Sequence, residues 1–409
     1  WIRPEVEAAH PLDGGRAAVL VGDVETTARR LGPDGASYRR RVGALARDAE
    51  RLLPALLGPL VAIPAGDALG PLLRFGLAGL RSADRLARGW FEGEEARALM
   101  AGMAAHSILP LDRAATSAVA LVLMIAGHGH GWPFPAGGSA AITDALVAHL
   151  RELGGRVLTG RPVRSMEDLP TARVYLFDVA PRHLASIAGE RLPIRYRDRL
   201  RRFRHGPGSF KIDWALDGPI PWSNEDCRRA GTVHVGGSLD EIAAAEAAPW
   251  RGAHADRPFV LVAQPTVFDP TRAPAGKHVG WGYCHVPHGS TEDRTVAVEA
   301  QIERFAPGFR DRVLARSTRT AADLESWNPN YVGGDIAGGV SDLGQLVRRP
   351  VFGPTPYATP DPAIWLCSAS TPPGGGVHGM PGAHAAEAIL GAVFGKPPRT
   401  RKSPESGAV

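Results

Sequence analysis

From Ser368 to Met380 the chain reads S-A-S-T-P-P-G-G-G-V-H-G-M. Gly374, Gly375 and Gly376 are consecutive, and Gly379 follows after Val377 and His378. Residues without a Cβ let backbone N–H groups come close to a ligand and reach φ values that other residues avoid. Before this loop lies the apolar run Ile364-Trp365-Leu366-Cys367, bounded by Pro362 and Ser368. It predicts a buried strand of a parallel sheet. After the loop, His384 to Leu390 is strongly helix-forming. Strand, glycine loop and helix start bring bare N–H groups and a positive dipole end up to a ligand, an arrangement that suits negative charge.

Gly374, Gly376 and Gly379 also spell G-x-G-x-x-G. A dinucleotide fingerprint must open a βαβ unit, with an acidic residue roughly 20 positions on. Only thirty residues follow Gly379, and they run through Lys396-Pro397-Pro398 into a polar tail. The loop is therefore expected to complete a cofactor site whose other half comes from earlier in the chain.

Other residues invite chemistry less strongly. His128 and His130, and His285 and His288, are spaced as metal-ligand pairs. Glycines flank the first pair and no carboxylate or thiolate adjoins it, so packing and turn roles are favoured for both, and no metal is expected. Asp178 ends the strand-like run Ala172–Pro181, and the carboxyl ends of parallel strands are where ligands bind. A strand-capping role is the alternative. Lys211, Asp213 and His378 are the polar residues to test for proton transfer, each reading first as structural, and the catalytic acid or base is left unassigned. No G-x-S-x-G or Walker loop occurs, so hydrolase and nucleotidase chemistry lack support.

The 409 residues suffice for two domains and a large core. Apolar residues make up 44% and charged residues 22%, an ordinary globular mixture. The net charge of +5 comes mainly from scattered arginines, which argues against nucleic acid as a partner. Cys227, Cys284 and Cys367 form no C-x-x-C pair, so a reducing, cytoplasmic compartment is expected. The longest apolar segment, Ala118–Ala126, is far too short for a transmembrane helix.

The pattern predicts two strands joined by an Asp-Gly turn within residues 1–20 and helices over 24–57, with Asp34 or Ser37 as a cap. Leu52–Leu80 is apolar but broken by Pro54, Pro59, Pro64 and Pro71, which excludes one long helix. This block is expected to border a lipophilic substrate entrance or to touch a membrane surface, with an ordinary helical core as the alternative. Helices are expected over Ser82–Gly102 and Ala114–Ile125, then a loop over His128–Ser139. Residues 203–290 read as mostly β, with strands at Phe210–Leu216, Phe259–Gln264 and His278–Val286. Thr291–Phe305 reads as a helix ended by Pro307-Gly308.

The run Cys367–Met380, C-S-A-S-T-P-P-G-G-G-V-H-G-M, resembles the C-terminal flavin-binding motif of phytoene dehydrogenase-like FAD-dependent oxidoreductases, relatives of carotenoid desaturases and flavin amine oxidases. The resemblance implies FAD as cofactor, with the final helix aimed at the flavin N1/C2 carbonyl edge, where it would stabilise the negative charge of reduced flavin. It implies Ser370, Pro372, Gly374, Gly375, Gly376, Val377, His378, Gly379 and Met380 as cofactor-binding positions, with Asp178 beside them. Pro135–Ser139, the helix Ala140–Leu153 and Gly154–Gly160 resemble the run that returns the family chain to its FAD domain. Val157 and Val163 are expected on strands there, with the Val163 backbone on the adenine. Asn328–Gly339 resembles a family loop beside the flavin and the substrate mouth.

The implied fold is α/β: a Rossmann-like FAD domain and an inserted α+β substrate domain with an antiparallel or mixed sheet. Residues 1–20, 136–200 and 340–394 are assigned to the FAD domain. Residues 21–135 and 201–339 go to the substrate domain, and 395–409 to a disordered tail. The family's first strand, true fingerprint, helix and acidic-ended strand are not seen, so a further βαβ unit on the order of 60 residues is expected upstream of Trp1. The implied activity is hydride transfer from a lipophilic small molecule to flavin, with peripheral membrane contact as a further expectation. A non-catalytic binding protein on the same scaffold, and an amine or alcohol oxidase, stay open as alternatives.

Overall fold

The computed structural model describes residues 1–58, 67–351, 353 and 355–396. Pro59, Pro64 and nearly all of the expected tail lie outside the described residues.

Two sheets organise the chain. The larger has seven strands: β1 Val6–Leu12, β2 Arg16–Leu20, β4 Gly208–Leu216, β5 Ala230–Val235, β6 Val260–Ala263, β7 His278–Val286 and β8 Val313–Arg319. Their order is β2-β1-β5-β6-β7-β4-β8. Only the β1–β5 pair is parallel, so the sheet is mixed. The smaller sheet pairs β3 Tyr175–Phe177 with β9 Ile364–Leu366 in parallel.

Alternation along β4 decides which faces are buried. Phe210, Ile212, Trp214 and Leu216 point into a core with Val233, Val260 and Val262, closed by Val298, Ile302 and Phe305 of the helix Thr295–Phe305. On the other face, Ala8 and Leu20 meet a helical layer containing Leu99, Met103, Leu121 and Met124. The helix Glu94–Ala105 is buried along nearly its whole length because it is sandwiched between that sheet and the helix Thr116–Gly129. The small sheet has its own layers. Phe177, Ile364 and Leu366 pack with Leu184 and Leu200 on one side, while Trp365 packs with Tyr357, Ala385 and Ile389 on the other.

Several expectations change. Residues 6–20 lie in the large sheet, where β1 finds a parallel partner in β5, with Val6 opposite Ala230 and Ala8 opposite Thr232. Val157 and Val163 lie in no strand: the run after the helix Ala140–Glu152 meets no ladder partner among the described residues, and strand geometry persists only where its N–H and C=O groups pair. That helix buries none of its residues and leaves Leu146 and Leu153 exposed. The first long helix is capped by Asp23, which accepts from the Thr26 N–H at 2.7 Å. Asp34 instead accepts from the N–H groups of Glu92 and Gly93, fastening two helical segments together. His128 lies inside Thr116–Gly129, not in a loop, and its ring bonds the Tyr38 hydroxyl at 2.7 Å and the Gly22 carbonyl at 3.1 Å. His285 pairs with Glu246 at 2.8 Å, and His288 bonds the Gly206 carbonyl at 2.8 Å.

Of the apolar block, Leu52, Leu53, Phe75 and Ala78 enter the helical core. Leu69, Leu73, Leu77 and Leu80 face outward, at 46, 62, 79 and 59% exposure. The helix Leu69–Gly79 is thus packed on one face and apolar on the other. No helix among the described residues is long and apolar enough to cross a membrane.

A histidine cluster lies between sheet and helices. His10 on β1 and His234 on β5 are fully buried neighbours, and His106 Nε2 is 3.0 Å from His234 Nε2. Burial depresses His10 and His106 to about 4 and holds His234 well below the ordinary histidine value, with the neighbouring imidazoles adding to the effect on His234. In the unfolded chain these rings titrate near 6.5. Their neutral forms are therefore tolerated above that pH, and stability is lost as pH falls toward 4 because only the unfolded state takes up the protons. As pH falls from 6.5 to 4.5 the unfolding free energy should fall with a slope that grows from about 1.5 protons to between two and three from this cluster, and His10 alone contributes about 3 kcal/mol by pH 4. Chemical denaturation at stepped pH measures the slope, and a value below about one proton refutes the assignment.

Candidate functional site

The site begins where β3 and β9 end. Parallel pairing of Tyr175 with Ile364 and Phe177 with Leu366 brings the carboxyl ends of both strands side by side. Cys367 donates its N–H to the Phe177 carbonyl at 2.9 Å, extending the ladder by one step before the chains diverge. One chain leaves through Asp178-Val179-Ala180 and the other through Ser368-Ala369-Ser370. A cavity of about 230 Å³ opens between them, closed over by Asn328, Tyr331 and Gly338.

The closing loop is held from several directions. The Asn330 side-chain oxygen accepts from the Ala180 N–H at 2.8 Å, pinning the loop above the end of β3. His183 bonds the Pro329 carbonyl at 2.9 Å, and Glu325 accepts from the Gly333 N–H at 2.7 Å. The buried Asp335 accepts from the N–H groups of Gly206 and Ala337 and from His205, and these donors hold its carboxyl below the usual range despite burial. The Ser370 hydroxyl donates to the Gly338 carbonyl at 2.8 Å. At Gly338, with φ of +68°, a Cβ would lie 2.6 Å from that of Ala369, so glycine is required for this contact.

The glycine loop continues from this wall. Tyr357 donates its hydroxyl to the Pro372 carbonyl at 3.1 Å, fixing the entry to the loop. Gly374 and Gly379 adopt φ of +115° and +61°. Gly375 backs onto the other loop so closely that a Cβ would lie 2.5 Å from the Ala337 carbonyl oxygen. The N–H groups of Gly375 to Gly379 find no acceptor among the described residues, and Val377 is 96% exposed. The final helix, Met380–Phe394, starts one turn earlier than the His384 expected from composition, with Pro381 in its first turn. His378 Nδ1 accepts from the Met380 N–H at 3.1 Å. The loop is thus a row of free donors at the positive end of a fifteen-residue helix.

The positions expected to contact a cofactor divide into three groups. Asp178 and Ser370 line the cavity. Pro372 and Gly374 to Met380 form the donor loop beyond Ser370. Val163 packs near Phe177 and Leu366 in the core of the small sheet, not at the cavity or the loop. Asp178 is exposed at the cavity's edge, and partial desolvation there raises its carboxyl above the ordinary aspartate range. Lys211 and Asp213 form an ion pair on β4 and line no part of the cavity. Sequence reading missed Asn330, Tyr357 and Arg349 as individual residues. Arg349, 2% exposed, reaches beneath Gly374, and its only forewarning was a lone Arg-Arg-Pro run. A second depression of about 330 Å³, lined by Glu5, Arg30 and Arg229, lies on the large sheet's flank; its charges are already engaged in the Glu5–Arg229 and Arg30–Asp226 pairs.

The chain is 26% identical over 348 residues to pyridine nucleotide-disulfide oxidoreductase domain-containing protein 2 of Rattus norvegicus. The match covers 74% of this chain, which spans 59% of the relative's length. No protein-family model matches the sequence. Among solved structures, an oxidoreductase from Methanosarcina mazei superposes with a TM-score of 0.56 at 16% identity, over 95% of this chain and 81% of that one. Putrescine oxidase bound to putrescine superposes with a TM-score of 0.54 at 14% identity, over 96% and 81%. The fold is that of these oxidoreductases. It accounts for the pairing of a parallel β-unit with a large mixed sheet, and for a cavity where the two meet the closing loop.

The Gly375 contact gives a direct test. Gly375→Val must push the donor loop off Ala337 and should destabilise the protein by about 1–3 kcal/mol. Gly379→Ala meets open space and costs only the strain of its positive φ, about 1 kcal/mol. Denaturant midpoints of the two variants should fall in that order, and equal values contradict the close loop contact.

Proposed function

We propose that the chain forms part of an FAD-dependent oxidoreductase that removes hydride from a small-molecule substrate. The observation that carries this reading is the row of free backbone donors from Gly375 to Gly379, set at the N-terminus of Met380–Phe394 and backed against the cavity's closing loop. The donor set fits a flat, hydrogen-bond-accepting group that gains negative charge during reaction. FAD, when bound, supplies the hydride acceptor. The residues of this chain bind and orient. Gly375 to Gly379 hold the charged edge, with Gly374 and Met380 bounding the loop, Ser370 fixes the loop spacing through Gly338, and Tyr357 sets the direction of the loop at Pro372. Asp178, whose carboxyl is raised by partial desolvation, is the cavity's candidate for accepting or returning a proton.

The substrate in this reading is lipophilic, of the phytoene dehydrogenase-like rather than the amine-oxidising type. The outward leucines of Leu69–Gly79 support it, as they support contact with a membrane surface or other apolar phase. An amine oxidase is the second reading, favoured by the fold shared with putrescine oxidase.

Spectroscopy decides between them. The whole protein, expressed from its complete gene, incubated with FAD and desalted should retain a flavin spectrum, and anaerobic addition of long-chain polyenes or alcohols should bleach it. Bleaching by alkyl diamines alone selects the amine-oxidase reading. Failure to retain any flavin removes the oxidoreductase proposal.

A further inference from the structure

Arg349 is the only arginine or lysine among the described residues that is fully buried. A buried cation costs several kcal/mol unless its charge and donors are met. Here they are met only in part. Nη2 donates to the Gly339 carbonyl at 2.9 Å and the Gly338 carbonyl at 3.3 Å. Nε has no acceptor. The two carboxylates whose charge reaches Arg349 are already engaged: Asp335 with His205, Gly206 and Ala337, and Asp342 with Arg204 and Gln345. No ion pair forms to Arg349 among the described residues. Desolvation lowers its guanidinium to about 10, which still leaves it charged at neutral pH. Its Nη1 lies 2.6 Å from where a Cβ on Gly374 would sit, so the group is pressed against the inner side of the donor loop.

A structural arginine would be expected to end on a carboxylate. This one ends on two carbonyls, the face of the Phe203 ring 5.9 Å away and an unmet Nε–H, directly behind a loop whose own N–H groups are free. We propose that Arg349 is an anion-binding residue of the site, holding positive charge behind the glycine loop for the edge of the flavin that becomes negative on reduction. The assignment rests on the flavin reading above. Its effect is strong because the charge is desolvated: at low effective dielectric an unscreened cation favours a developing anion far more than a solvated lysine would.

The test uses the flavin-loaded protein with Arg349→Met and Arg349→Lys. Arg349→Met should lower the preference for reduced over oxidised flavin by about tenfold or more, a negative shift of about 30 mV in the two-electron midpoint potential. Arg349→Lys should recover part of the shift. Without flavin, Arg349→Met should not lower the melting temperature, because it removes a buried charge that no carboxylate pairs. An unchanged potential at normal flavin content overturns the assignment. An unchanged potential with weakened binding of a carboxylate competitor also overturns it, and gives the charge to the substrate instead. A lower melting temperature in both unloaded variants with no shift in potential makes Arg349 a packing residue. Absence of flavin from the wild-type protein overturns the flavin reading and this assignment together, whereas the other adverse outcomes overturn the assignment alone.

Discussion

Three residues of β3 paired with three of β9 determine where everything in the site can be. The pair joins segments about 190 residues apart, and the Cys367–Phe177 contact marks the end of the shared ladder. Parallel strands carry their side chains and exits in the same direction, so both chains leave the sheet at one edge and must separate there. The gap between them is the cavity. Its position follows from hydrogen-bond register, and its surroundings are the loops that each strand feeds. The apolar cores above and below the sheet hold that register, with Phe177 and Leu366 on one side and Trp365 on the other.

Backbone packed on backbone links this small sheet to the rest of the site. Gly338 accommodates Ala369, and Gly375 accommodates Ala337. Close approach of main chain to main chain leaves no room for adjustable side chains, so these contacts set loop spacing rigidly. Asp335 supplies the counterpart in polar terms: a buried carboxylate with three donors anchors the closing loop to residues 205–206. The donor loop is therefore not a free glycine tether. It is a braced element whose N–H groups from Gly375 to Gly379 have no acceptor among the described residues.

The large sheet serves a different purpose. Its core of Trp214, Phe210 and Trp222 is fully buried, while the opposite face carries buried imidazoles toward the helical layer. This gives a stiff body against which the loop from Ala321 to Gly339 is mounted, through contacts of the helix Ala321–Trp327 with β4 and β8. It also makes the body sensitive to acid, since neutral rings packed in an apolar layer resist protonation.

The sequence by itself determined the local pieces. A period-two pattern marked β4 and β7, an apolar run between Pro362 and Ser368 marked β9, and consecutive glycines marked the donor loop, because side-chain alternation and the absence of a Cβ act within a few residues. The neighbourhood of Asp178 and Ser370 could also be anticipated, since strand ends and loops follow directly from where strands stop. Partners could not. That β1 lies beside β5, that residues 157–163 find no strand to join, and that Asp34 caps nothing but ties Glu92 and Gly93 were settled by long-range pairing, which local pattern does not encode. Arg349 is the clearest case: an arginine in a charged, proline-flanked run reads as solvated surface, and only the folding of residues 335–342 and 374 around it made it a buried cation. Burial is a property of what surrounds a residue, and for Arg349 those surroundings come from separate stretches of chain that meet only in the tertiary structure.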